Sequence, residues 1–279
     1  MPDPLQILID LALKEDVGTG DVTSEAVFQS PLDKKKAKIV AKEDLVVAGL
    51  EVVQRVYQTL DPGIRVDFLV AEGKAVKNGT ILAEVCADIK TLLGGERVAL
   101  NFLQHLSGIA TLTRDFVDLV RGTRAKIVDT RKTLPGFRSL EKEAVRLGGG
   151  ENHRRGLFDQ FLIKDNHIDA VGSLKEAVRR ARDNNPRGLP IEVETRNLRE
   201  VREALEAGVD IILLDNMDVG TIREAVNRID GRVLVEASGG IDRKNVRTIA
   251  ETGVDTISIG ALTHSAPAAD IALKVISGI

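Results

Sequence analysis

The sequence predicts an α/β protein: a mixed α/β region followed by an incomplete, six-stranded β/α barrel. Three observations support this. Six short apolar runs recur from Lys126 onward, helix-like segments lie between most of them, and each run ends on a polar residue or a glycine. Strands alternating with helices imply parallel pairing through right-handed crossovers. A doubly wound open sheet satisfies the same alternation and is the runner-up.

The elements follow in order. Leu5, Leu8, Ile9, Ala12 and Leu13 recur at helical spacing, so the chain opens with an amphipathic helix, and EDVGTGDVTS then reads as a polar turn. Ala37–Val40, Leu45–Val47, Ile64–Val70 and Ile81–Cys86 read as strands, with a helix at Gly49–Leu60. A long helix is expected over Thr91–Arg121, broken at Gly108. The six barrel runs are Lys126–Val128, Phe161–Ile163, Ile191–Val193, Ile211–Leu214, Val233–Val235 and Thr256–Ile259. Helices are expected at Leu174–Arg182, Leu198–Ala207, Val219–Arg228 and Lys244–Glu251, with Gly208 and Gly253 just past their last turns. The expected domains are 1–110 and 111–265, with a C-terminal helix at 266–279 packing back on the first.

Composition narrows the function. Net charge is −3 and there are seven Phe, one Tyr and no Trp, which argues against nucleic acid, a base-stacking platform or an anionic membrane. No apolar stretch approaches the roughly 20 residues that cross a bilayer. Asp3 and Asp10 flank a short apolar run without a basic leader, so no signal peptide is expected and the expected compartment is the cytoplasm. Cys86 is the only cysteine and is expected to be a small buried hydrophobe.

In a β/α barrel the chemistry gathers at the C-terminal ends of the strands. Here those ends carry Asp129–Thr130–Arg131–Lys132, Lys164–Asp165, Glu194, Asp215–Asn216, Glu236–Ser238 and Gly260. From Arg131 to Lys164 there are eight cations and four acids, inside an acidic chain, which points to a basic mouth and an anionic substrate. Lys142 and Arg146, four apart on a helical stretch, read as a solvated face. Gly148–Gly150 permits a sharp turn before Asn152–His153–Arg154. Ser238–Gly239–Gly240 and Gly260–Ala261 follow the last two strands and lead towards helices, where barrels often bind phosphate. Glu194 and Asp215, at neighbouring strand ends, could hold a divalent cation, meet ribose hydroxyls, stabilise a cationic sugar, or pair with nearby Lys and Arg. With no HExxH, CxxC pair or P-loop, the site reads as one that works by charge and positioning.

The strings ERVALNFLQHLSGIAT, DTRKTLPGFRSLEKEAVRLGGGENHRRGLFDQFLIKDNH, EVET, ILLDN, EASGGI and ISIGALTHS resemble the quinolinate phosphoribosyltransferase family, in the family's order and over nearly the whole chain. The resemblance implies an N-terminal α/β sandwich domain and a C-terminal incomplete barrel. It also implies a homodimer, in some members assembled into a hexamer, in which Arg97 is donated to the partner's site. By the same resemblance Arg131, His153, Arg154 and Lys164 clamp quinolinate, and Lys132 and Arg97 meet phosphoribosyl pyrophosphate. Glu194 and Asp215 face the ribose and its Mg²⁺, while Ser238, Gly239, Gly240, Gly260 and Ala261 hold the 5′-phosphate, with Thr130 and Ile259 among the substrate contacts. A relative acting on another aromatic acid, as in the molybdenum-associated branch, and a non-catalytic phosphate-binding sensor are the alternatives.

Overall fold

The computed structural model describes residues 3–29 and 34–276. The chain divides into two compact units. The first comprises Met1–Arg114, Leu134–Gly149 and Ser265–Ile279; the second comprises Asp115–Thr133 and Gly150–His264. The segment 134–149, expected within the barrel domain, thus belongs to the first unit.

The first unit holds α1 (Pro4–Val17), α2 (Val22–Val27), β1 (Lys34–Ala41), β2 (Leu45–Val46), α3 (Leu50–Leu60), β3 (Val66–Phe68), β4 (Ala75–Val76) and β5 (Ile81–Asp88), then most of α4 (Ile89–Leu119). Two later segments join it, α5 (Arg138–Gly148) and β12 (Ile271–Ile276). Its antiparallel sheet runs β12-β1-β5-β3, beside a small β2-β4 ladder. Ile39, Ala41, Leu82, Ala83 and Val85 are buried on the sheet, together with Leu50, Val53 and Val56 of α3 and Leu100 and Leu103 of α4.

Four expectations change here. The C-terminal helix at 266–279 is instead strand β12, paired with β1 from Ala41↔Ile271 to Lys36↔Ile276; residues 277–279 lie outside the described residues. The open edge of β1 supplies a ladder that overrides the helical leaning of Ala, Leu and Lys in IALKVI. The long helix α4 runs through Gly108 unbroken. A Cβ on Gly108 would collide with the Pro267 carbonyl oxygen, so this glycine permits a close backbone approach. Cys86 is exposed, because Val85 and Ala87 take the buried face of β5 and the period of two turns Cys86 outward. Lys142 is buried with Glu141, Ala144 and Val145 inside the first unit, where a solvated face was expected; Arg146 is exposed and paired with Glu143.

The second unit carries β6 (Lys126–Val128), β7 (Phe161–Ile163), α6 (Asp165–Val171), α7 (Leu174–Asp183), β8 (Ile191–Thr195), α8 (Leu198–Ala207), β9 (Ile211–Asp215), α9 (Val219–Ile229), β10 (Leu234–Ser238), α10 (Val246–Ala250), β11 (Thr256–Ser258) and α11 (Ala261–His264). Its six strands are parallel, in the order β6-β11-β10-β9-β8-β7. The first strand closes onto the last, and the opening lies between β6 and β7, where the chain makes its longest connection. Ser173, Asn197 and Asp218 start α7, α8 and α9 as N-caps, each accepting backbone N–H groups. Parallel pairing throughout the sheet places every strand's C-terminal end at the same face of the unit.

Candidate active site

At that face the ends of β6 to β11 surround a cavity of about 300 Å³. Thr130, Arg131, Lys132, His153, Arg154, Lys164, Glu194, Asp215 and Ser238 line it, with Leu162, Leu213, Glu236 and Ser258. The strand period explains the set: Leu162 and Lys164, Glu192 and Glu194, Leu213 and Asp215, and Glu236 and Ser238 are spaced two apart and share the inward face. The site is therefore layered, with a deeper ring of residues beneath the polar rim.

The rim residues are held by local geometry. After β6, Glu151 adds a parallel bridge to Val128, and buried Asp129 accepts the His153 N–H at 3.0 Å and the Asn152 side-chain amide at 2.6 Å. This ties the GGGENHR segment to the strand end. Lys164 is the N-cap of α6, and its N–H donates to His167 Nδ1 at 3.0 Å. Its Nζ stands 3.3 Å from Glu194 Oε2. Asn216 adopts a left-handed backbone (φ 52°), which asparagine tolerates better than most residues, and its amide donates to Asp215 Oδ2 at 2.9 Å.

Beneath the rim, His153 Nε2 lies 3.1 Å from Glu192 Oε2 and 3.5 Å from Glu236 Oε2. Its Nδ1 accepts the Arg154 N–H at 2.8 Å. Glu192 Oε2 also accepts from Gln160 Nε2 at 2.8 Å, and the Gln160 carbonyl accepts from Arg154 Nη1 at 3.2 Å. Two buried acids thus brace the His153–Arg154 pair from below. Burial, and then the neighbouring Glu192 carboxylate, push Glu236 up to about 7, opposed by His153. Burial, and then the Arg131 guanidinium, pull Arg154 below its ordinary value, opposed by Glu192 and Asp159. Two guanidinium groups side by side, that of Arg154 buried and that of Arg131 half-buried, are a strong attractor for a compact dianion.

Gly239, Gly240, Ile259, Gly260 and Ala261 follow directly on β10 and β11. Gly260 leads directly into α11, a helix of four residues beginning at Ala261, whereas α10 begins only at Val246, with five residues between it and Gly240.

Models of both quinolinate phosphoribosyl transferase domains match, the N-terminal domain over residues 21–107 and the C-terminal domain over 109–274. The chain belongs to the quinolinate phosphoribosyltransferase family. A probable nicotinate-nucleotide pyrophosphorylase (carboxylating) of Synechocystis is 45% identical over 267 residues, covering 95% of this chain and 90% of the relative. Its counterpart from Bacillus subtilis is 42% identical over 271 residues, covering 97% and 93%. The solved nicotinate-nucleotide pyrophosphorylase of Francisella tularensis superposes with a TM-score of 0.94 at 39% identity, covering 98% of this chain and 96% of that one.

Of the residues expected for a quinolinate phosphoribosyltransferase, Arg97 alone lies in the first unit, exposed on α4 and without an ion-pair partner among the described residues. Sequence reasoning missed Glu192 and gave Glu236 no role. The available signal was an acid at an alternate position of an otherwise apolar strand, two residues below Glu194 in IEVET and two below Ser238 in VEAS.

Proposed function

We propose that this quinolinate phosphoribosyltransferase family member transfers the phosphoribosyl group of phosphoribosyl pyrophosphate to the ring nitrogen of quinolinate, giving nicotinate mononucleotide, carbon dioxide and pyrophosphate. One observation carries the reading: Arg131, Arg154 and Lys164 share a cavity with Glu194 and Asp215. The cations match a planar dicarboxylate, and the acids match a sugar carbon that turns cationic as pyrophosphate departs.

In this mechanism Arg131, Arg154 and Lys164 hold the two carboxylates and aim the ring nitrogen at the ribose carbon. Glu194 and Asp215 offset the oxocarbenium charge while the C–O bond to pyrophosphate breaks and the C–N bond forms. The ring is then a pyridinium, so the carboxylate beside the nitrogen leaves as carbon dioxide. Its bonding electrons stay on the ring carbon, which takes up a proton. Lys132 and Arg97 meet the phosphates of the donor. The two acids are hard oxygen donors suited to Mg²⁺, which would supply neutralisation of the pyrophosphate charge. The same reading includes a cytoplasmic homodimer, able to assemble further into a hexamer, in which Arg97 completes the partner's site. No described helix is long and apolar enough to cross a membrane.

The test is to incubate the protein with phosphoribosyl pyrophosphate, Mg²⁺ and either quinolinate or nicotinate. Nicotinate mononucleotide formed from quinolinate with release of carbon dioxide supports the reading. Turnover of nicotinate instead, or ligand binding without pyrophosphate release, overturns it.

A further inference from the structure

Two segments with separate expected duties are joined in the structure. Lys132 follows β6 and was assigned to phosphoribosyl pyrophosphate without a choice of end. Gly260–Ala261 follows β11 and was assigned to the 5′-phosphate. Between them stands Thr263, buried at 2% exposure. Its hydroxyl donates to the Lys132 carbonyl at 2.7 Å and lies 3.2 Å from the Gly260 carbonyl. Its own N–H donates to that Gly260 carbonyl at 3.2 Å, so the hydroxyl is fixed to the turn that carries it. On the other side of Lys132, its N–H donates to Thr130 Oγ1 at 3.0 Å. The backbone of Lys132 is therefore pinned at both its N–H and its C=O.

The side chain is committed as well. A Cβ on Gly260 would stand 2.8 Å from Lys132 Cδ and 3.2 Å from His264 Nε2. The aliphatic stem of Lys132 thus crosses the face of Gly260, which only a glycine leaves open. A cation whose backbone is tied to Thr263 and whose stem lies on Gly260 is part of the Gly260–Ala261 turn.

We propose that Thr263 is a positioning residue that holds Lys132 on the Gly260–Ala261 turn, making Lys132 part of the subsite for the phosphate monoester shared by phosphoribosyl pyrophosphate and the mononucleotide product. This rests on the functional reading above and adds to it the end of the donor that Lys132 serves. A buried hydroxyl bonded to a loop carbonyl fixes that loop, and its loss leaves the carbonyl without its donor. Val in place of Thr keeps the volume and removes only the hydroxyl.

The test uses wild type, Thr263→Val, Thr263→Ser and Gly260→Ala, with binding of ribose 5-phosphate and of inorganic pyrophosphate measured by calorimetry and KM measured for both substrates. Ribose 5-phosphate carries the monoester alone; pyrophosphate lacks it. Thr263→Val should weaken ribose 5-phosphate and raise the KM for phosphoribosyl pyrophosphate by about tenfold each, leaving pyrophosphate binding and the quinolinate KM unchanged. Thr263→Ser should restore both values. Gly260→Ala, which displaces the Lys132 stem and also alters the turn itself, should weaken ribose 5-phosphate at least as much as Thr263→Val. Unchanged ribose 5-phosphate binding in Thr263→Val, or a loss confined to pyrophosphate, overturns the assignment. If the wild type makes no nicotinate mononucleotide, the functional reading falls, and the ribose 5-phosphate measurements still decide the role of Thr263.

Discussion

Lys164 Nζ and Glu194 Oε2, at the ends of adjacent strands β7 and β8, stand 3.3 Å apart on the wall of the cavity. The lysine side chain is 46% exposed, so the pair adds little to stability. In the proposed function its value lies in what it presents to a ligand: a cation for a substrate carboxylate, and an acid kept in place beside it. Lys164→Ala should therefore leave Tm nearly unchanged and lower kcat/KM for quinolinate by about 30-fold or more. A Tm fall without a kinetic effect would reverse this assignment.

In the proposed clamp Arg154 is the buried guanidinium, with half-buried Arg131 beside it. Arg154→Lys keeps the charge and loses the planar fork, and with it the bond to the Gln160 carbonyl. We expect a rise of about tenfold or more in the quinolinate KM, with the KM for phosphoribosyl pyrophosphate unchanged. Arg131→Ala removes charge and fork together and should cost about 30-fold or more in kcat/KM. Steady-state kinetics with each substrate varied in turn separates the two effects.

Glu236 gives the fold a pH dependence. With its pKa raised from 4.5 to about 7, the folded chain keeps a proton that the unfolded chain has already released. The stability from this group is thus full below about pH 4.5 and is lost as pH rises through about 7, a change of about 3 kcal/mol. Glu236→Gln, which resembles the protonated acid, should have a higher Tm than wild type at pH 8, with the gap shrinking towards pH 5. Thermal melts of both proteins across that range check the sign as well as the size.

Much of this was legible in the sequence because strand ends and turns leave local marks. The six barrel strands, the glycines Gly208 and Gly253 that close two of the helical stretches, and the rim residues Arg131, Lys164, Glu194 and Asp215 all follow from periodicity and punctuation. What escaped depends on distant partners. IALKVI becomes a strand because β1 offers it an open edge, and Gly108 is a site of close approach by Pro267 inside a continuous helix, where the sequence alone reads as a break. Segment 134–149 leaves the barrel domain for the first unit and takes Arg138, Lys142 and Arg146 with it, a choice of packing that no window of sequence records. Glu192 was hidden differently: alone it is one acid in an apolar strand, and only His153, brought in from the GGGENHR segment, gives it a purpose.

Arg97 supplies the sharpest test of assembly. It is exposed on α4 and has no ion-pair partner among the described residues, while its neighbours Val98, Ala99 and Leu100 are buried. If each site takes Arg97 from the other protomer, Arg97→Ala and Lys164→Ala are separately defective for different reasons. Mixed and allowed to exchange, they form hybrid dimers in which one site carries both lesions and the other carries neither. Random exchange should then restore about a quarter of wild-type activity. Mixing each mutant with itself should restore none, and sedimentation confirms that exchange has occurred. Hybrid dimers that form and stay inactive would confine Arg97 to its own protomer and dismiss the shared site.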